Sequence, residues 1–155
     1  MVEKSGGTKA HNSGKRLEWC VSGLLIDAGY HEVRKGIFFA MREMKQPIFA
    51  RECSIGKTIY GGNRKVDFIL YHPTRWPDCL VIECKWQASS GSVYEKYPFL
   101  VLNIQNNNIN TIIVLDGGGY TKGASNWLHG QAGKTYLKYV FNQGAFQKFV
   151  SKGGL

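Results

Sequence analysis

Residues 80–87 read Leu-Val-Ile-Glu-Cys-Lys-Trp-Gln, an apolar lead-in followed by an acid, a base and an amide on every second residue. Side chains alternate between the two faces of a β-strand, so Glu83, Lys85 and Gln87 share one face while Ile82, Cys84 and Trp86 share the other. A lead-in as apolar as Leu80-Val81-Ile82 suits a strand covered on both sides. The polar row therefore emerges at the end of a buried strand, into a cleft instead of open solvent. A second run, Thr111 to Leu115, is β-branched and equally apolar, with Asp116 at its end. Strands of this kind need helices above and below them. The pattern predicts an α/β (α+β) fold with a central mixed β-sheet flanked by helices on both faces.

The remaining elements follow from period and punctuation. Residues 14–28 place Leu17, Cys20, Val21, Leu24, Leu25 and Ala28 on one helical stripe, with Asn12 or Ser13 as the cap and Gly29 as the stop. Glu18 falls at the edge of that stripe, beside Val21 and Leu25, and is turned inward or nearly so. Ile37 to Ala40 and Ile48 to Arg51 read as short β-like runs. A hairpin is expected from Lys57–Tyr60, a Gly61-Gly62-Asn63 turn and Lys65–Tyr71. Pro73 and Pro77 fence the loop before the strand of residues 80–87. Ser92-Val93-Tyr94-Glu95 has the form of a capping box, and Val93, Tyr97, Leu100 and Ile104 repeat at helical spacing. Pro98 either kinks that helix or moves its start later. A short helix over 124–128, a strand over 136–141 and a closing helix over 145–150 complete the chain, and no internal repeat is present.

With 155 residues the chain is long enough for a real core and too short for two comfortable domains. Residues 14–155 are expected to form a single domain behind a flexible basic arm, residues 1–13. The first sixteen residues lack the apolar core of a signal peptide, and no apolar run approaches the roughly 20 residues of a membrane helix. Four scattered cysteines without a CxxC spacing suit small buried hydrophobes in a reducing cytoplasm better than a zinc site. Twenty Lys and Arg against eleven Asp and Glu give a net charge of +9, which favours a polyanionic partner, nucleic acid first.

The chemistry gathers around Asp67, mid-strand between Val66 and Phe68 and sixteen residues before Glu83. If its strand lies beside that of Glu83, two carboxylates and the Lys85 ammonium converge. Hard cations such as Mg²⁺ take oxygen ligands and keep several waters, so two carboxylates and a main-chain carbonyl suffice to hold one. Such an ion lowers the pKa of bound water and offsets phosphate charge. Lys85 then orients or deprotonates the water, or stabilises the transition state; the residues leave both roles open.

The pattern D(x15)ExK, on a hairpin strand and the strand that follows, resembles the PD-(D/E)XK nuclease superfamily, which includes type II restriction endonucleases and Holliday-junction resolvases. Here it stands as Val66-Asp67 and Ile82-Glu83-Cys84-Lys85. Gln87 matches the ExKxQ extension of some members, and Glu18 matches the helix carboxylate that many add to the metal site. The element order agrees over roughly residues 14–128. The tract GSVYEKYPFLVLNI, with LDGGGY later, is similar to bacterial and phage proteins of the superfamily grouped with restriction enzymes. One departure is Val66 where the motif's proline would stand. The resemblance implies a restriction-endonuclease-like core and Mg²⁺-dependent hydrolysis of DNA, with Mn²⁺ able to substitute, leaving a 5′-phosphate and a 3′-hydroxyl. It implies Asp67, Glu83 and the Cys84 main-chain carbonyl as metal ligands, with Glu18 as a further one, and Glu18, Asp67, Glu83, Lys85 and Gln87 as the catalytic set.

Other features fit nucleic acid more loosely. Lys96 either meets phosphate or is merely solvated, Lys122 either meets phosphate or belongs to a plain connector, and Asn126, His129 and Gln131 either read base edges or simply belong to an amphipathic helix carrying one core Trp. The run Gly117–Gly123 lacks the G-x-x-x-x-G-K-[ST] spacing of a nucleotide-phosphate loop and is expected to be a flexible connector, so no nucleotide cofactor is expected. No H-x-x-x-H pair supports histidine-metal chemistry. The sequence therefore predicts a cytoplasmic, bacterial or phage-encoded DNA endonuclease, a homodimer by symmetry when both strands are cut. The rivals are a junction, repair or phage nuclease of the same fold and a non-catalytic DNA-binding module.

Overall fold

The computed structural model describes residues 6–155, with side chains from residue 12 onward apart from those of residues 92 and 93. Helix α1, Gly6–Asp27, begins eight residues before the segment expected to be helical, residues 14–28. Residues 6–13, expected in the arm, therefore continue the helix; residues 1–5 of that arm lie outside the described residues. Helix propagation needs only one backbone hydrogen bond per added residue, which apolar spacing does not report.

A two-residue strand β1, His31–Glu32, is followed by a 3₁₀ turn, a single helical turn α2, Phe38–Met41, and another 3₁₀ turn over Arg42–Met44. The β-like run expected over Ile37–Ala40 is thus helical. Phe38 is buried and Phe39 exposed, a one-sided burial that a short apolar run cannot announce. Strand β2, Ile48–Lys57, extends the second expected run and becomes the first arm of the hairpin; of the expected arm Lys57–Tyr60 only Lys57 is strand, and Thr58–Gly62 form the turn. Strands β3, Asn63–His72, and β4, Trp76–Trp86, follow, with Pro77 inside β4 at an irregularity between Leu70↔Leu80 and His72↔Trp76.

A 3₁₀ turn over Ser92–Lys96 leads into helix α3, Tyr97–Asn107, so Pro98 sits in its first turn, where a missing N–H costs nothing. Strand β5, Asn110–Asp116, helix α4, Lys122–Gln131, strand β6, Leu137–Phe141, and helix α5, Gln143–Ser151, complete the order. Thr121 and Asn142 cap α4 and α5 by accepting from the N–H groups of Ala124 and Ala145.

The six strands lie in the order β1-β2-β3-β4-β5-β6. The β2–β3 and β3–β4 pairs are antiparallel and the others parallel. Helices α1 and α5 cover one face, over a core of Leu17, Val21, Phe68, Leu80, Ile82 and Phe146. Helices α3 and α4 cover the other over β5 and β6, and α2 packs beside them against Ile48, Ile69 and Val81. The sheet is mixed and layered on both faces, as the buried strands required. No described helix is long and apolar enough to cross a membrane.

Candidate active site

Strand β4 is held along its whole polar end by β5, with Glu83 opposite Ile113 and Lys85 opposite Leu115. On its other side the pairing with β3 stops at Phe68↔Ile82. In the gap, Asp67 Oδ2 accepts the Cys84 backbone N–H at 2.8 Å, a side chain standing in for the next rung of the ladder. Lys85 Nζ lies 3.3 Å from Glu83 Oε2 and 4.0 Å from Asp67 Oδ2. The acid, the acid and the ammonium expected to converge do so where the two strands part.

The other Glu83 oxygen, Oε1, meets a residue the sequence did not single out. Arg64 Nη2 lies 2.9 Å from it, with both side chains almost wholly buried, although the pair is not aligned as a hydrogen bond. Arg64 Nε donates to Asn107 Oδ1 at 2.8 Å, so α3 aims the guanidinium at Glu83. Strict alternation from Asp67 would put Arg64 on the opposite face. The phase breaks instead: Val66 and Ile69, three apart, lie in one cluster. The break falls between the pairs Arg51↔Phe68 and Cys53↔Val66, where Glu52 takes a left-handed φ of 50°. That irregularity turns Arg64 toward Glu83.

Burial pushes the Asp67 carboxyl up to about 7, the nearby Lys85 working against it and the negative charges of Glu83 and Glu18 adding to it. For Lys85 burial works to lower the ammonium, but Glu83 and Asp67 outweigh it and hold it above the usual lysine range. Burial also raises the Cys84 thiol, which stays protonated and points from the opposite face of β4 into the α1 side of the core. The centre thus holds a proton on Lys85 Nζ and an Asp67 carboxyl poised near neutrality.

Of the other expected residues, Glu18 on α1 is partly buried and near enough for its charge to be felt at Asp67 and Cys84. Gln87 is buried on the expected face, but its amide is engaged: Oε1 accepts from the Tyr97 hydroxyl at 2.9 Å, and Nε2 reaches the Ser89 and Gly119 carbonyls at 3.4 and 3.5 Å. It ties the end of β4 to α3 and to the glycine loop. Lys96 lines the same cavity as Lys85 and Arg64. Lys122, Asn126, His129 and Gln131 lie on α4 and do not line it. The side chains of His129 and Gln131 bond the backbone of their own helix, at Ser125 and Trp127.

The glycine run is a fitted part. Gly119 N–H donates to Gln87 O at 2.7 Å, and a Cβ on Gly119 would stand 2.4 Å from Ser89 N. One on Gly117 would stand 2.4 Å from Gln87 O. The loop expected to be a flexible connector packs backbone to backbone against the end of β4, which explains its composition. Asp116 serves as a strand-end cap, accepting from Gly117 and Gln143 N–H groups.

A sheet with helices on both faces carries a carboxylate–lysine centre where two strands part, and the family comparison bears on this arrangement. A family model described as a PD-(D/E)XK nuclease superfamily domain matches residues 9–150, all but the ends of the chain, and the protein belongs to that superfamily. No curated protein and no solved structure matches it. Members of the superfamily generally use divalent metal ions.

Proposed function

We propose that the protein is a Mg²⁺-dependent DNA endonuclease of restriction type, residues 14–155 acting as one domain and two copies pairing to cut both strands. The observation that carries this reading is the meeting of Asp67, Glu83 and Lys85 at the parting of β3 and β4, beside a cavity lined also by Arg64 and Lys96.

The donor chemistry suits a hard divalent cation. Glu83 Oε1 is buried without a hydrogen bond, and an Asp67 carboxyl raised by burial gains from a cation that favours its ionised form. Among the described residues no three His, Cys, Asp or Glu side chains stand close enough to hold an ion alone. A main-chain carbonyl, that of Cys84, and water would complete the set, with Glu18 as a further ligand. When bound, Mg²⁺ supplies charge for the phosphate and a more acidic water.

The chain's own groups do the rest. Asp67 and Glu83 would hold the ion, and Arg64, 2.9 Å from Glu83 Oε1, keeps that carboxylate in place for it. Lys85 is an ammonium in this setting, which favours charge stabilisation over proton removal: it donates to a non-bridging phosphate oxygen as negative charge grows there. A water oxygen forms the new bond to phosphorus, and the bond to the 3′ oxygen breaks. The attacking water releases one proton to solvent and the 3′ oxygen takes one up from solvent, giving 5′-phosphate and 3′-hydroxyl ends. Gln87 and Tyr97 keep the end of β4 in place.

Plasmid and phage DNA incubated with the protein in Mg²⁺ or in EDTA tests the reading. Discrete fragments in Mg²⁺ alone support a sequence-reading endonuclease, and a smear supports a non-specific one. Intact DNA in both, with binding retained, supports a non-catalytic module.

A further inference from the structure

A cavity opens beside Lys85. It encloses about 230 Å³, below the roughly 300 Å³ at which pockets for drug-sized ligands begin, so it suits one flat ring system. Its wall combines two chemistries. Lys96 supplies positive charge, Arg64 and Lys85 line the floor in ion pairs with Glu83, and Tyr97, Phe99 and Leu100 supply aromatic and aliphatic surface. Asn103 adds an amide whose Oδ1 already accepts the Ile59 N–H at 2.9 Å, leaving Nδ2 as its donor.

The rim is fixed in place. The tip of the β2–β3 hairpin is pinned to α3 by Asn103, and by Asn106 and Asn107, whose Nδ2 atoms donate to Lys57 O at 3.2 and 3.0 Å. Tyr60, 83% exposed, stacks on Phe99 with ring centroids 5.3 Å apart and planes 23° apart. An exposed aromatic on a firm ledge beside an aromatic hollow with a lysine at its edge is the composition that stacks a base and holds its phosphate. A base within continuous duplex is stacked on its neighbours and cannot enter a hollow of this size.

We infer that this cavity receives one unpaired nucleobase next to the phosphate that is cut, so the preferred substrate is DNA carrying an unpaired nucleotide at the cleavage position. The inference rests on the nuclease reading for the cut phosphate but not for the binding. Lys96 meets a phosphate flanking that nucleotide, Arg64 stays on Glu83 and Asn107 in the floor of the cavity, and Tyr97 and Phe99 meet the ring.

Three short DNAs of one sequence test it: a continuous duplex, the same duplex with one unpaired 2-aminopurine, and the same with an abasic site there. Affinity is read by fluorescence anisotropy in EDTA, and cutting in Mg²⁺. Binding of the 2-aminopurine duplex roughly tenfold tighter than either other DNA, with quenching of the probe, is the expected result. Phe99→Ala is expected to remove most of that preference. Equal affinity for all three DNAs, or for the abasic and 2-aminopurine duplexes, overturns the inference without reference to any variant's folding. A preference in EDTA with no cutting of any DNA in Mg²⁺ sustains the subsite and removes the nuclease reading instead.

Discussion

Replacing Asp67 by Asn should make the protein more stable and inactive at once, and the size of the gain follows from its carboxyl. That group is held at about 7 against an ordinary 3.8, chiefly by burial. A group whose folded pKa is raised keeps, between those two values, a proton that the unfolded chain releases. The wild-type fold therefore loses stability as pH rises from about 4 through 7. At about 1.4 kcal/mol per tenfold change in proton affinity the full loss is about 4 kcal/mol. The Asp67 side chain is 26% exposed, and solvent screening lowers the figure to about 2–4 kcal/mol. Asn cannot ionise, and its amide oxygen can still accept the Cys84 N–H. Urea unfolding at pH 5 and pH 8 reads the difference. Asp67→Asn should exceed wild type at pH 8 by a midpoint shift of roughly 1–2 M, and much less at pH 5. Mg²⁺ should raise the wild-type midpoint and leave the variant's unchanged, since only an ion-binding native state gains. A variant less stable than wild type at pH 8, or a gap independent of pH, would refute burial as the governing influence on Asp67.

Arg64→Ala leaves Glu83 buried without its guanidinium and should cost about 3–5 kcal/mol, a fall in Tm of roughly 10 °C. Adding Glu83→Met to Arg64→Met should recover most of that loss, because it removes the stranded charge. Gly119→Ala puts a Cβ against the Ser89 backbone and should cost about 1–3 kcal/mol and slow cleavage by moving the end of β4. Gly123→Ala, with open space around it in α4, should be neutral or slightly stabilising in thermal melts.

The site was legible where period and burial spoke together. Leu80–Gln87 declared a buried strand with a polar end, and the spacing from Asp67 to Glu83 matches two antiparallel strands joined by a short turn. Legibility failed where the backbone departs from its period. The phase break at Asp67 and Glu52 sends Arg64 to Glu83, and alternation alone points it elsewhere. Arg64 carries no signal of its own in the sequence, where it stands between Asn63 and Lys65 beside the hairpin turn and reads as one more exposed cation. Ile37–Ala40 failed for another reason, because four apolar residues carry no period long enough to tell one helical turn from a strand. The glycine run was read by composition, while its backbone contact with Gln87 and Ser89 arises only once β4 and β5 lie side by side.

The central claim, that Asp67, Glu83 and Lys85 act together on a phosphodiester, is tested most directly by single-turnover cleavage of plasmid DNA in Mg²⁺ by wild type and Lys85→Ala, with DNA affinity measured beside it. Loss of one charge-stabilising donor should slow cleavage by about 10²–10³-fold, with affinity changed less than about tenfold. Equal cleavage by the two proteins, or an affinity that falls in step with the rate, would contradict it.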